Sequence, residues 1–238
     1  MSLAVLLRSS LFALFQLLIT PLFAVVALLT FPFAPLTRYR IITCWSRLMI
    51  DAASSLCGIR YRVLGVENIP KEPCIILSKH QSAWETLAFQ VILPPHVWVL
   101  KRELLWIPFF GWGLAMLSPI AIDRSAGARA LRQTLDQGRE RLTQGFSIVI
   151  FPEGTRGHGD EPQSFKSGLF KLAQMFPQVV LVPAWINNVQ RVMPKGEVVP
   201  VPILCSVTFG APIQLEAGEE RRPFLDRARR AVIALREV

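Results

Sequence analysis

From Ser9 to Thr37 the chain carries no charged residue, and Leu11 to Phe33 is almost wholly apolar. Such a stretch is not a solvated loop. In an apolar medium it must be helical, because a helix satisfies its own backbone hydrogen bonds. Its length exceeds the roughly 20 apolar residues that cross a bilayer. A cleaved secretory signal is the competing reading, but the apolar region outruns the core of such a signal and no A-x-A-like site follows it. Pro21 interrupts the run, and Pro32 and Pro35 end it. The stretch therefore reads as one kinked span or as a hairpin that enters one leaflet. Arg8 precedes it, and Arg38, Arg40 and Arg47 follow. The larger positive charge lies downstream, which places the main domain on the cytoplasmic side of a membrane.

Arg38 to Leu56 has the spacing of a second helix. Ile41, Ile42, Trp45, Leu48, Met49 and Ala52 make a wide apolar stripe. The stripe fits a helix lying in the membrane interface, and it fits a helix packed in a core equally well. Gly58 ends it. Residues 1–57 are read as membrane anchor plus interfacial helix, and 58–238 as the domain that carries the chemistry.

Beyond Gly58 the pattern changes to short apolar runs alternating with amphipathic stretches. Ile59–Gly65 alternates and reads as a strand. Further strands are expected at 74–77, 97–100, 119–122, 146–151, 179–183 and 203–209. Helices are expected at 87–93, 126–144, 168–176 and 223–236. Phe146–Phe151 is continuously apolar, the pattern of a strand buried on both faces of a parallel sheet. Alternating strand and helix predicts an α/β fold. Glu103 to Gly113 is unusually aromatic and is broken by Pro108, Gly111 and Gly113. It reads either as core or as a greasy rim for lipid.

Polar residues stand where several of these strands end, which is where open α/β sheets place their chemistry. Cys74–Leu77 runs into Lys79-His80-Gln81-Ser82-Ala83-Trp84-Glu85-Thr86. On one continuous helix, His80 and Glu85 would point about 140° apart. With His80 in the turn before the helix, Glu85 can fold back onto one imidazole nitrogen and leave the other to take a proton, as in triad chemistry. Ser82 and Glu85 are also spaced as a capping box, with Ser82 at N-cap and Glu85 at N3. The strand at 146–151 ends in Pro152-Glu153-Gly154-Thr155-Arg156-Gly157. Its glycines admit close approach of an anion, and Arg156 can fork onto a phosphate. It is no Walker loop, since the G-K-S/T ending is absent.

Composition narrows the chemistry. The chain has 238 residues, 52% hydrophobic, with net charge +9. That combination suits contact with anionic lipid. Nucleic acid is a poor fit, as no zinc-finger spacing, RRM signature or dense basic run is present. Cysteines 44, 57, 74 and 205 are scattered without a C-x-x-C pair, which suits reduced thiols. No G-x-S-x-G elbow and no metal-ligand spacing occurs. A base without a protein nucleophile implies that a substrate hydroxyl is the nucleophile. Cations at strand ends would hold a phosphate, and apolar surfaces would hold acyl chains. The expected chemistry is acyl transfer from an activated ester to a lipid alcohol.

The ordered set of motifs resembles the glycerolipid acyltransferase family typified by the bacterial 1-acylglycerol-3-phosphate acyltransferases, over about residues 60–210. The first motif, histidine, four residues and an acid, is His80 to Glu85. The second resembles Lys101-Arg102-Glu103-Leu104 with Pro108 and Gly111-Trp112, continuing to Ile122-Asp123-Arg124. The third is Phe151-Pro152-Glu153-Gly154-Thr155-Arg156, followed by Phe165-Lys166-Ser167-Gly168. The fourth resembles Val182-Pro183-Ala184. The family more often has Asp where this chain has Glu85. The same spacing to Glu occurs in lipid A acyltransferases, whereas the Glu-Gly-Thr-Arg motif favours the glycerolipid branch.

The resemblance implies a mixed, mostly parallel sheet flanked by helices, behind a hydrophobic helical anchor at a bacterial inner membrane. It implies His80 as base and Glu85 as its orienting acid. It implies Lys101, Arg124 and Arg156 on the acceptor phosphate, with Lys166 a further cation and Glu153, Gly154 and Thr155 shaping the pocket. It implies no metal, no cofactor and no covalent intermediate, and acyl-CoA or acyl-acyl carrier protein as co-substrate. The expected product is phosphatidic acid from lysophosphatidic acid. The alternatives are another lyso-lipid acceptor such as lyso-ornithine lipid, or a non-catalytic membrane lipid-binding protein.

Overall fold

The fold is seen in a computed structural model that describes residues 3–123, 126–154, 161–192 and 202–237. Its strands are β1 (Ile59–Leu64), β2 (Ile75–Ser78), β3 (His96–Lys101), β4 (Ile120–Ile122), β5 (Ser147–Ile150), β6 (Leu181–Asn187) and β7 (Ile203–Phe209). They form one sheet in the order β1-β7-β6-β2-β5-β3-β4. Every neighbouring pair is parallel except β6 with β7. The expected mixed, mostly parallel α/β sheet is present. Five strands, β6-β2-β5-β3-β4, point the same way, so their C-terminal ends share one edge.

Both faces of the sheet are covered, as parallel strands require. Side chains alternate along β2 and the residue before it: Cys74 and Ile76 enter one core, Ile75 and Leu77 the other. The first core takes Phe12 from α1 (Leu3–Leu29), Ile50 and Ala53 from α3 (Cys44–Cys57), and Ala88 and Phe89 from α4 (Trp84–Ile92). The second takes Leu172 from α7 (Gly168–Met175) and Phe224 and Val232 from α9 (Arg221–Ile233), with Leu135 of α6 (Ala128–Thr143) at its margin. Each fully buried side chain of this size contributes about 1.5–3 kcal/mol. Because Phe12, Ile50 and Ala53 pack on the sheet, residues 1–57 share a core with the rest of the chain.

Two local expectations change, and three readings left open are decided. The helix expected over 38–56 is two, α2 (Pro35–Ile42) and α3, meeting at Thr43. Pro35 suits a helix start, and the Thr43 hydroxyl donates to Tyr39 O at 2.8 Å, competing with the helical ladder. Of the apolar stripe, Ile42 and Met49 are buried and Ile41, Trp45, Leu48 and Ala52 half-buried; with Ile50 and Ala53 buried beside them, the segment packs on protein rather than lying at an interface. The last turn of α3 hands over to Gly58 at φ 72, a left-handed position that suits glycine. β6 starts later than expected and runs on to Asn187, because Ala184–Asn187 pairs antiparallel with Ser206–Phe209. The aromatic stretch is rim, not core. It forms a 3₁₀ turn (Arg102–Trp106) and the short helix α5 (Phe110–Met116), and Trp106, Ile107, Phe109 and Trp112 are exposed. α1 continues through Pro21 as one helix, and it is long and apolar enough to cross a membrane.

One buried group makes stability depend on pH. His96 is 1% exposed and burial lowers its pKa from 6.5 to about 4, a neighbouring Pro94 carbonyl acting weakly the other way. Its Nδ1 lies 3.1 Å from the Tyr39 hydroxyl and 3.0 Å from Pro94 O. Below pH 6.5 the unfolded chain binds a proton that the native protein refuses. The contribution of His96 is therefore fully present above pH 6.5 and is lost as pH falls towards 4, by about 3 kcal/mol. Thermal melts across that window are expected to show the decline, and His96→Gln is expected to flatten it.

Candidate active site

Parallel register brings the motifs together. β2, β5, β3 and β4 are consecutive in the sheet, and their C-terminal ends lead into His80, Glu153, Lys101 and Asp123 respectively. After β2 the chain leaves the sheet at Lys79 and turns through Gln81–Ala83 before α4 begins at Trp84. That turn is what the spacing of His80 and Glu85 requires.

Glu85 is 0% exposed and folds back over the turn. One carboxylate oxygen, Oε1, is hydrogen-bonded to His80 Nδ1. Gln81 N donates to both carboxylate oxygens at 3.1 Å, and Ser82 N donates to Oε2 at 3.1 Å. The capping reading and the pairing with His80 thus coexist. The box itself is altered: Ala83 is the N-cap residue and Glu85 sits in the first turn, while Ser82 Oγ accepts from Trp84 N at 3.3 Å. Burial raises the Glu85 pKa, and the bonds from His80 and then from Gln81 and Ser82 oppose that rise. The helix N-terminus also favours negative charge there.

Two residues without an assigned role in the sequence reading hold the imidazole plane. Phe151 stacks on His80 with centroids 4.1 Å apart and planes at 13°, and Trp98 stacks on Phe151 at 5.5 Å and 17°. Phe151 belongs to the third motif, but its contact with His80 depends on β5 lying beside β2. Lys79 was also missed. It is 2% exposed, and its Nζ sits 5.6 Å from the Trp185 ring centroid, a cation over an aromatic face. Its only sequence signal is adjacency to His80.

His80 opens on a cavity of about 500 Å³. Leu87 and Gln90 of α4, Phe23 and Ala24 of α1, Trp45 of α3 and Leu114 of α5 wall it, and Lys101 is also in its lining. Most of that wall is apolar. A Ser46–Gln90 hydrogen bond sets one polar spot in it.

Glu153, Gly154 and Lys166 lie in the loop after β5, beside the cavity rather than in its lining. Glu153 is buried, and its Oε2 accepts from Gln163 N at 2.8 Å. Gly154 has φ 77, where a side chain would be strained, and a Cβ there would stand 3.8 Å from Lys166 Cγ. Lys166 is exposed, and its backbone N donates to Pro152 O at 2.8 Å. Lys101 is exposed at the end of β3. Arg124, Thr155 and Arg156 lie outside the described residues. Among the described residues no cluster of three His, Cys, Asp or Glu is placed to hold a metal ion.

A 1-acyl-sn-glycerol-3-phosphate acyltransferase of Pseudomonas aeruginosa is 42% identical over 223 residues, 92% of this chain and 86% of that protein. The 1-acyl-sn-glycerol-3-phosphate acyltransferase alpha of Homo sapiens is 35% identical over 153 residues, covering 63% of this chain. The match takes in 54% of the human protein, so the chain spans about half the length of that relative. The crystal structure of the 1-acyl-sn-glycerophosphate acyltransferase of Thermotoga maritima shares the fold, with TM-score 0.80 at 21% identity over 98% of this chain and 96% of that one. The family described as Acyltransferase matches residues 60–187, which include both the His80–Glu85 pair and the Glu153 loop, and the chain belongs to that family.

Proposed function

We propose that the chain transfers an acyl group from an acyl thioester to the sn-2 hydroxyl of lysophosphatidic acid, giving phosphatidic acid for phospholipid synthesis. The observation that carries this is a half-buried His80 bonded to a fully buried Glu85 and opening on a largely apolar cavity, in a chain 42% identical to a 1-acyl-sn-glycerol-3-phosphate acyltransferase. With Nδ1 bound to Glu85, His80 uses Nε2 to take the hydroxyl proton as that oxygen attacks the thioester carbonyl. The carboxylate stabilises the imidazolium that forms. The thiolate leaves, the ester is complete, and His80 passes the proton to the thiolate, giving the free thiol. The acyl chain lies in the cavity between α1, α3, α4 and α5.

Arg156, Lys101 and Arg124 hold the acceptor phosphate, with Lys166 close by, and Glu153, Gly154 and Thr155 shape the pocket. Acyl-CoA or acyl-acyl carrier protein arrives as co-substrate, and the reaction calls for no cofactor or metal. Residues 1–57 anchor the protein to a bacterial inner membrane, and residues 58–238 work on its cytoplasmic side. The exposed aromatic rim beside α1 rests on the same lipid surface.

Purified protein in mixed micelles, given acyl-CoA and a panel of acceptors, tests the reading. Lysophosphatidic acid is expected to exceed monoacylglycerol and lyso-ornithine lipid by at least about tenfold in kcat/KM, since a charge-binding site left empty costs binding energy. Equal turnover of acceptors without phosphate would overturn the phosphate assignments. No transfer to any acceptor would overturn the enzyme.

A further inference from the structure

We infer that Arg229, on the C-terminal helix α9, is a positioning residue for the acceptor phosphate, an inference that rests on the acyltransferase reading above. Arg229 lies outside residues 60–187, so the family match does not reach it. Its Nε donates to Pro162 O at 2.8 Å, and its Nη2 reaches Glu161 Oε2 at 3.2 Å. Pro162 is buried. The next residue donates its backbone amide, Gln163 N, to Glu153 Oε2 at 2.8 Å. Three residues on, Lys166 N donates to Pro152 O at 2.8 Å. The segment 161–166 is thus a strap across residues 152–153, and Arg229 ties its outer end to α9.

The tie has a firm base. Phe224, Ala228 and Val232 of α9 are each 0% exposed in the core under the sheet. A guanidinium bond to a carbonyl is charge-assisted, and it is stronger than a neutral one. The strap matters because Glu153 has little else to place it. Its Oε1 is buried and accepts no hydrogen bond from a described residue, so the carboxylate is held through Oε2 and the Gln163 amide. Gly154 N donates to Phe151 O at 2.9 Å, fixing the near end of the loop. The strap that carries Lys166 is therefore held at one end by Pro152 O and at the other by Arg229.

Arg227 supplies a matched control. It sits on the same helix at 29% side-chain exposure, against 30% for Arg229. It donates to Gln214 O at 2.7 Å and to Glu219, away from the loop after β5. Loss of either arginine removes comparable bonds, and only loss of Arg229 releases the strap.

Steady-state kinetics of the full-length wild type, Arg229→Ala, Arg229→Lys and Arg227→Ala, with lysophosphatidic acid and with monoacylglycerol, test this. Arg229→Ala is expected to raise KM for lysophosphatidic acid about tenfold, with kcat within about twofold and donor KM unchanged, the pattern of lost acceptor binding. Arg229→Lys recovers part of the loss, since its ammonium can still donate to Pro162 O. Arg227→Ala keeps wild-type KM values, and with monoacylglycerol Arg229→Ala equals wild type. A wild-type KM for lysophosphatidic acid in Arg229→Ala overturns the inference. So does an increase shared by Arg227→Ala or by monoacylglycerol. A wild-type enzyme that does not distinguish the two acceptors overturns the phosphate reading beneath it as well.

Discussion

His80→Ala is expected to lower kcat by about 10²- to 10⁴-fold, the usual contribution of a positioned general base. Among the described residues no second histidine stands ready to replace it. The other histidine described in full, His96, is 1% exposed, holds its ring against Tyr39 and Pro94, and is not in the cavity lining. The substitution removes the ring from its stack on Phe151, a contact of the kind worth about 0.5–1.5 kcal/mol. It also leaves the buried Glu85 one donor short, at about 1–3 kcal/mol, so the variant should fold with a lowered Tm and keep its substrate KM values. Rate measurements on a variant shown to be folded separate chemistry from stability. A folded His80→Ala that retains wild-type acyl transfer would defeat the assignment.

Glu85→Gln should cost almost as much rate, and more stability. The wild-type carboxylate is enclosed by three donors: His80 Nδ1, Gln81 N and Ser82 N. A carboxylate accepts from all of them, whereas an amide offers one oxygen and turns an NH₂ toward a donor. One buried donor is left without an acceptor, at about 1–3 kcal/mol. Catalysis loses more, because the neutral amide no longer stabilises imidazolium. The equivalent acid-to-amide change in a serine-protease triad lowers kcat about 10⁴-fold. A fall of about 10³-fold or more is expected, visible in single-turnover rates. Glu85→Asp keeps the charge on a shorter arm and is expected to retain most of the activity, its cost falling on the Gln81 and Ser82 bonds. A Glu85→Gln enzyme as fast as Glu85→Asp would show that the carboxylate serves the turn rather than the histidine.

Much of this site was legible because its pieces are local. His80 and Glu85 stand five positions apart across one turn, and an apolar strand runs directly into them. Glu153-Gly154 follows another continuous apolar strand in the same way. Buried parallel strands must be apolar throughout, so polar residues abruptly following them mark strand ends. The length of the uncharged stretch from Ser9 to Thr37 was equally plain.

Other features were out of reach because they join segments far apart in the chain. The stack of Phe151 on His80 exists because β5 pairs with β2, and its continuation to Trp98 exists because β3 pairs with β5. The extension of β6 depends on antiparallel pairing with β7, a register that strand propensity does not encode. The stripe on α3 suited an interface or a core equally. Only its packing between α1 and α4 made it core. The aromatic stretch near Trp106 posed the same ambiguity and resolved the opposite way, to the surface.

The sequence by itself determined the alternation of strand and helix, the apolar N-terminal helix, and the spacing that lets Glu85 reach His80. Periodicity and short-range spacing are properties of neighbouring residues. Tertiary structure decided which strand lies beside which, and hence that His80, Lys101 and the Glu153 loop meet at one edge. It also decided that α1, α3, α4 and α5 enclose a cavity beside His80. Burial and adjacency arise only when the whole chain excludes water together, and no short window of residues carries that information.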